Sequence, residues 1–171
     1  MQLDVTKTYL LGAVGTTARA RRMQNMYEKH GVTHPIEPSK RWTHVAAMFY
    51  DREWRVIDCD YPLGCCNRPL KDWIEINSSR PIAEIMQHDM NVQILHSYVG
   101  SPFPAKYAKY RINHPYNNYQ RENSGIMCSE LISIADNNVC GKPDMVLPSH
   151  YQIYAIANGI EVSQLWDATR D

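Results

Sequence analysis

The sequence predicts an α+β fold in which a small antiparallel sheet packs against a helix, and two stretches carry that prediction. Trp42-Thr43-His44-Val45-Ala46-Ala47-Met48-Phe49-Tyr50 and Trp54-Arg55-Val56-Ile57-Asp58-Cys59-Asp60 are β-branched and aromatic runs flanking the polar Asp51-Arg52-Glu53, the pattern of a hairpin. Ser124-Gly125-Ile126-Met127-Cys128-Ser129-Glu130-Leu131-Ile132 places a thiol where a turn hands over to a helix. With 171 residues and 44% hydrophobic content, the chain reads as a single domain spanning residues 1 to 171.

Taken in order, residues 8 to 15 form an apolar, glycine-bearing run. Thr16-Thr17 can then cap a helix from Ala18 to Lys29, with Gly31 as its stop. Ala20, Met23 and Tyr27 recur at helical spacing, and Arg19, Arg21, Arg22 and Lys29 make the solvated side. The segment from His30 to Arg41 carries Pro35 and Pro38 and reads as a loop. In the hairpin, a three-residue turn sets His44 opposite Asp60 with Asp58 diagonal on the same face, whereas a two-residue turn sets Cys59 opposite His44. Register therefore decides which group can orient the imidazole. Residues 61 to 69 read as a turn-rich connector, 69 to 74 and 81 to 86 as short helices with proline near their starts, and 91 to 96 as a strand. Residues 98 to 123, rich in tyrosine, proline and asparagine, read as a loop lining a cleft. The helix begun at Cys128 runs to about Asn137, where Asn137-Asn138 and Gly141 end it. A turn and a short helix follow through Ala155, then a terminal strand-like stretch.

Composition removes several classes of function. Lys plus Arg and Asp plus Glu each total 18 and the isoelectric point is near 7.0, so nothing draws the chain generally to nucleic acid or to an anionic membrane. No nucleic-acid partner is expected. No window approaches the roughly 18 apolar residues of a membrane span, and the start lacks a basic leader followed by an apolar stretch, which points to a cytoplasmic protein without a signal peptide. Five cysteines at irregular spacing do not make the framework of a small secreted domain and are expected to be reduced. Cys59, Cys65 and Cys66 lack the two to four intervening residues of a zinc knuckle, and His30 and His34 lack helical support, so no metal or cofactor is expected.

The candidate chemistry rests on Cys128 and His44. Cysteine attacks as the thiolate, and a helix N-terminus carries about half a positive charge that favours the anion. The base of a cysteine hydrolase is near its nucleophile in space and commonly far from it in sequence, which qualifies His44. Taken alone, Cys128 is a core thiol and His44 a structural histidine; only their pairing gives either a catalytic meaning.

In order along the chain, four pieces resemble a known family. Thr43-His44-Val45-Ala46 is similar to a strand start of small residue, His, Val, Gly; Val56-Ile57-Asp58-Cys59 to a Val, Ile, Glu, Ala segment on the next strand; Pro115-Tyr116-Asn117 to a Pro, Tyr, Asp loop; and Met127-Cys128-Ser129-Glu130-Leu131-Ile132 to a Cys, Ser, Glu, Leu, Val nucleophile helix. Leu147-Pro148-Ser149-His150-Tyr151 echoes a late Thr, Pro, Asp, Leu turn. The family is that of the circularly permuted papain-like cysteine hydrolases, of the NlpC and lecithin retinol acyltransferase kind, most closely the YiiX-like bacterial branch. In it the histidine precedes the cysteine, as here. Asp58 stands where the family has Glu and Ala46 where it has Gly, and the first 42 residues lack its Gly-Asp entry segment.

The resemblance implies a permuted papain-like fold with Cys128 as nucleophile, His44 as general base and Asp58 as the group that fixes the imidazole. The backbone N–H of Cys128 would hold the oxyanion, with Tyr116 as a substrate-side group; Glu130 is a capping residue and a second candidate for substrate contact. The expected activity is an amidase, peptidase or acyl transferase working through a thioester, on a cell-wall peptide or a lipid amide. The alternative is a binding or structural component of a bacterial or phage assembly that retains the scaffold; a phage-encoded protein would be located in the virion or the host cell.

Overall fold

In the computed structural model, residues 2–29, 33–104, 125–141 and 146–167 are described. They form an α+β fold built on one six-stranded antiparallel sheet. The strands are β1 (Tyr9–Val14), β2 (His44–Asp51), β3 (Glu53–Asp60), β4 (Gly64–Pro69), β5 (Ile82–Gln87) and β6 (Val162–Asp167), in the order β4-β3-β2-β1-β5-β6. The helices are α1 (Ala18–Gln24), α2 (Met26–Lys29), α3 (Leu70–Asn77), α4 (Val92–Ser97), α5 (Cys128–Ala135) and α6 (Pro148–Asn158), with a 3₁₀ turn at Pro38–Lys40.

The apolar run at residues 8 to 15 is the central strand β1, antiparallel to β2 on one side and β5 on the other. Every residue of it from Tyr9 to Val14 is buried, because both faces of the sheet are covered and successive side chains enter different cores. Leu10 and Val14 join Val45, Ala47, Phe49, Ile57 and Met86 beneath the helical layer, where Leu131 and Ile132 of α5 and Tyr151 and Ala155 of α6 pack. Tyr9, Leu11 and Ala13 join Ala46, Met48, Val56 and Ile85 on the other face, under Trp73 of α3. Gly12 is required here: a Cβ on it would lie 2.0 Å from the buried Trp42 ring. Trp42 is fastened in turn, its backbone N–H to Gln152 Oε1 at 2.8 Å and its indole N–H to Glu84 Oε2 at 2.6 Å.

Several sequence expectations change. The sheet is larger than the small one expected. Residues 64 to 69, read as a connector, form the edge strand β4, and Pro69 sits at its end where no ladder bond is lost. Residues 82 to 87, read as helical after Pro81, form β5 because β1 and β6 flank them and bury Ile82, Ala83, Ile85 and Met86. Residues 92 to 97, read as a strand, form α4, which Asn91 caps by accepting from Gln93 and Ile94 N–H at 3.0 and 3.2 Å. The expected first helix breaks at Asn25 into α1 and α2; Thr17 caps it, accepting from Ala20 N–H at 3.1 Å, and Gly31 lies outside the described residues. The helix at Cys128 ends as expected, with Asn137 and Asn138 both left-handed, at φ 62° and 64°.

Two polar clamps hold the helical layer. Arg41, 2% exposed, pairs with Glu28 and lies over the Tyr27 ring, tying α2 to the entry of β2. At the far end of α5, Asp136 accepts from His88 at 2.8 Å, and Asn91 N–H donates to Ala135 O at 2.8 Å. The second clamp fixes the far end of α5 against the sheet. No helix among the described residues is long and apolar enough to cross a membrane.

Candidate active site

Cys128 is the first residue of α5, and the helix start is built to hold it there. Met127 N–H donates to Glu130 Oε2 at 2.9 Å, and Ser129 Oγ donates to Val146 O at 2.8 Å. Helix geometry leaves the Cys128 N–H without an acceptor four residues back, so this amide points out of the helix end. Glu130 is 1% exposed and its carboxylate serves the helix start; the side chain does not line the cavity described below. Its expected capping role is therefore the one its placement accounts for.

The hairpin register decides the partner of His44. Ala47 pairs with Ile57 and Asp51 with Glu53, around a tight turn in which Arg52 adopts φ 61°. Continued to the strand ends, this register sets Asp60 opposite His44 and Asp58 diagonal to it, the geometry expected for a three-residue turn. Asp58 takes the role: Nε2 of His44 lies 3.1 Å from Asp58 Oδ2. The shorter Asp, standing where the resembled family has Glu, spans the gap. Among the described residues, Asp60 makes no hydrogen bond to His44; it pairs with Arg80 at 3.2 Å and accepts from Tyr61 N–H at 2.8 Å.

His44 and Cys128 line one cavity of about 360 Å³. Its walls are apolar at Ala20, Met23, Phe103, Met127, Leu147 and Pro148, and polar around Asp60, Asn77, Ser79 and Arg80. Cys128 keeps 9% of its surface exposed, whereas His44 and Asp58 keep 3% each. Burial opposes a charge on His44, yet the Cys128 thiolate, the hydrogen bond to Asp58 and the Asp60 carboxylate outweigh it and raise the imidazole from 6.5 to about 10. With Nε2 occupied by Asp58, Nδ1 is the ring nitrogen left for the thiol.

Two contacts to Asp58 were not legible in the sequence. Trp73 Nε1–H of α3 donates to Oδ2 at 3.2 Å, and Arg68 Nη2 of β4 forms an ion pair with Oδ1 at 3.2 Å. With residues 61 to 69 read as a connector, nothing aligned Arg68 with Asp58; strand pairing through Cys66 would have been the signal.

The remaining expected residues divide clearly. Tyr116, with the whole Pro115-Tyr116-Asn117 motif, lies outside the described residues. Cys59 also lines the cavity, but its thiol is pushed far up by hydrogen bonding to Cys65 and by burial, and Cys140 is pushed up to about 12 by burial and the Asp136 carboxylate. All five cysteines are unpaired thiols. His34 is a packed histidine, accepting from Ile36 N–H at 3.0 Å and meeting the Tyr27 ring edge-on.

The fold and the site together define an α+β protein with a six-stranded antiparallel sheet, where a helix-start cysteine meets a buried His-Asp pair carried at the ends of two inner strands, in one cavity. Comparison with protein-family models, with curated proteins and with solved structures finds no match in any of the three.

Proposed function

We propose that this protein is a cysteine hydrolase or acyl transferase that cleaves an amide through a thioester on Cys128. The observation that carries this reading is the shared cavity: a helix-start thiol beside an imidazole that the Cys128 charge and the hydrogen bond to Asp58 together hold charged. The Cys128 thiolate attacks the carbonyl carbon, and the oxyanion that forms is placed toward the Cys128 N–H. Collapse of this intermediate breaks the C–N bond while His44 gives its proton to the departing amine, leaving a thioester and a neutral imidazole. His44 then takes a proton from water, or from an acceptor hydroxyl or amine, as that group attacks the thioester; the C–S bond breaks, releasing the acyl product and restoring the Cys128 thiolate and the His44 imidazolium. Asp58 keeps the imidazole oriented through both steps. Peptides and acyl amides are the substrate classes that fit, with the apolar wall formed by Met23, Phe103, Met127 and Leu147 receiving the acyl or side-chain portion.

The test is the rate at which each cysteine is alkylated by iodoacetamide across pH, followed by mass spectrometry in the parent and in His44→Ala. Cys128 is expected to label with a midpoint well below the ordinary thiol value of about 8.5, and to lose that advantage with His44. Cys59 and Cys140 are expected to stay slow throughout. Slow Cys128 labelling with an ordinary midpoint, unchanged in His44→Ala, would sink the hydrolase reading and favour a scaffold that binds a partner. Acyl transfer from an activated ester to Cys128, detected as a mass increase on its peptide, tests the thioester itself.

A further inference from the structure

We propose that Arg68 is a positioning residue for the Cys128–His44 pair and acts through Asp58. This rests on the hydrolase reading of the cavity. The argument begins in the sheet. In the β3–β4 ladder Val56 pairs with Arg68 and Asp58 with Cys66, so Arg68 stands diagonally across from Asp58 on the same face. A long side chain reaches across that diagonal, and Nη2 of Arg68 lies 3.2 Å from Asp58 Oδ1. His44 and Trp73 both approach the other oxygen, Oδ2. The three partners therefore divide the carboxylate between them and fix both its place and its plane.

The burial of Arg68 is what sets it apart from a stabilising surface pair. Its side chain is 12% exposed and that of Asp58 is 3% exposed, so both charges are withdrawn from water. Such a pair stabilises a fold only when further hydrogen bonds complete each group. Here neither Asp58 Oδ1 nor Arg68 Nε has a hydrogen-bond partner among the described residues, so charge and not hydrogen-bond geometry holds the two together. The role that accounts for this arrangement is electrostatic. Arg68, Asp58, His44 and Cys128 lie in series from β4 to the start of α5, with the Asp60–Arg80 ion pair beside them at the cavity. Without Arg68 the buried Asp58 carboxylate loses its cationic neighbour on β4, and a buried charge with less compensation is disfavoured. Arg68 thus holds the Asp58 carboxylate against His44, and through it places the imidazole beside Cys128, without lining the cavity itself.

The experiment measures the pH profile of Cys128 alkylation in the full chain for the parent, Arg68→Met, Arg68→Lys, Asp58→Asn and the double variant Asp58→Asn with Arg68→Met, with thermal unfolding of each. Arg68→Met is expected to move the Cys128 midpoint upward by about one pH unit, which makes labelling about tenfold slower below the midpoint. Arg68→Lys retains most of the parent profile. In the Asp58→Asn background, Arg68→Met adds little, because the residue it acts through is already neutral. A change in Tm alone does not produce this pattern, so the midpoint separates positioning from folding. Arg68→Gln repeats the comparison if Arg68→Met fails to fold. An unchanged midpoint in folded Arg68→Met, or a full shift that persists in the Asp58→Asn background, overturns the proposal. A parent Cys128 that labels as an ordinary thiol overturns the hydrolase reading instead, so the two failures are distinct.

Discussion

Asp58 Oδ2 lies 3.1 Å from Nε2 of His44, and both side chains are almost wholly withdrawn from water. This contact joins β2 to β3 across a hairpin and is the joint at which sheet geometry becomes chemistry. The carboxylate does not act alone on the imidazole, since the Cys128 charge contributes more to raising it. Asp58 instead fixes which ring nitrogen faces the thiol.

Replacing Asp58 separates its two contributions. Asp58→Asn keeps an oxygen for Nε2 but removes the charge, so the His44 imidazole, followed by NMR, is expected to titrate below its parent value of about 10. Asp58→Ala also strands Arg68 and the Trp73 indole N–H, and urea unfolding is expected to show a loss of about 3 kcal/mol. A titration unmoved in Asp58→Asn would remove Asp58 from the site.

Stability toward alkali follows from the buried thiols. The Cys140 thiol has a folded value of about 12 against 9.0 ordinarily, so its contribution is complete below pH 9.0 and is lost as pH rises toward 12. Cys59 acts with the same sign. Urea midpoints are therefore expected to fall above pH 9.0, and Cys140→Ala, which removes one titrating group, shallows the fall. Equal slopes in the parent and the variant would show that Cys140 is not held protonated.

Gly12→Ala probes the packing beneath the site. Its added methyl would fall 2.0 Å from the Trp42 ring, which is pinned by Gln152 and Glu84 and cannot withdraw without breaking those bonds. A loss of about 3 kcal/mol or more is expected, at or beyond the upper end of ordinary overpacking, read from denaturant unfolding. A variant as stable as the parent would mean that Trp42 is free to move.

The sequence by itself determined several local features. The polar turn between two β-branched runs fixed the hairpin, Asn137-Asn138 fixed the end of the Cys128 helix, and the order of His44, Asp58 and Cys128 named the residues that line the cavity or support it. These features depend on backbone propensities and on neighbours close in the chain, which is why they are legible there. Only the tertiary structure decided that residues 82 to 87 are a strand and 92 to 97 a helix, since short apolar runs satisfy either period until β1 and β6 claim the first and the Asn91 cap the second. It alone decided the choice of Asp58 over Asp60, and brought in Arg68 and Trp73. Those contacts depend on strand register and on α3 packing over the sheet, and register is set by burial across the whole layer, which no local stretch of residues contains.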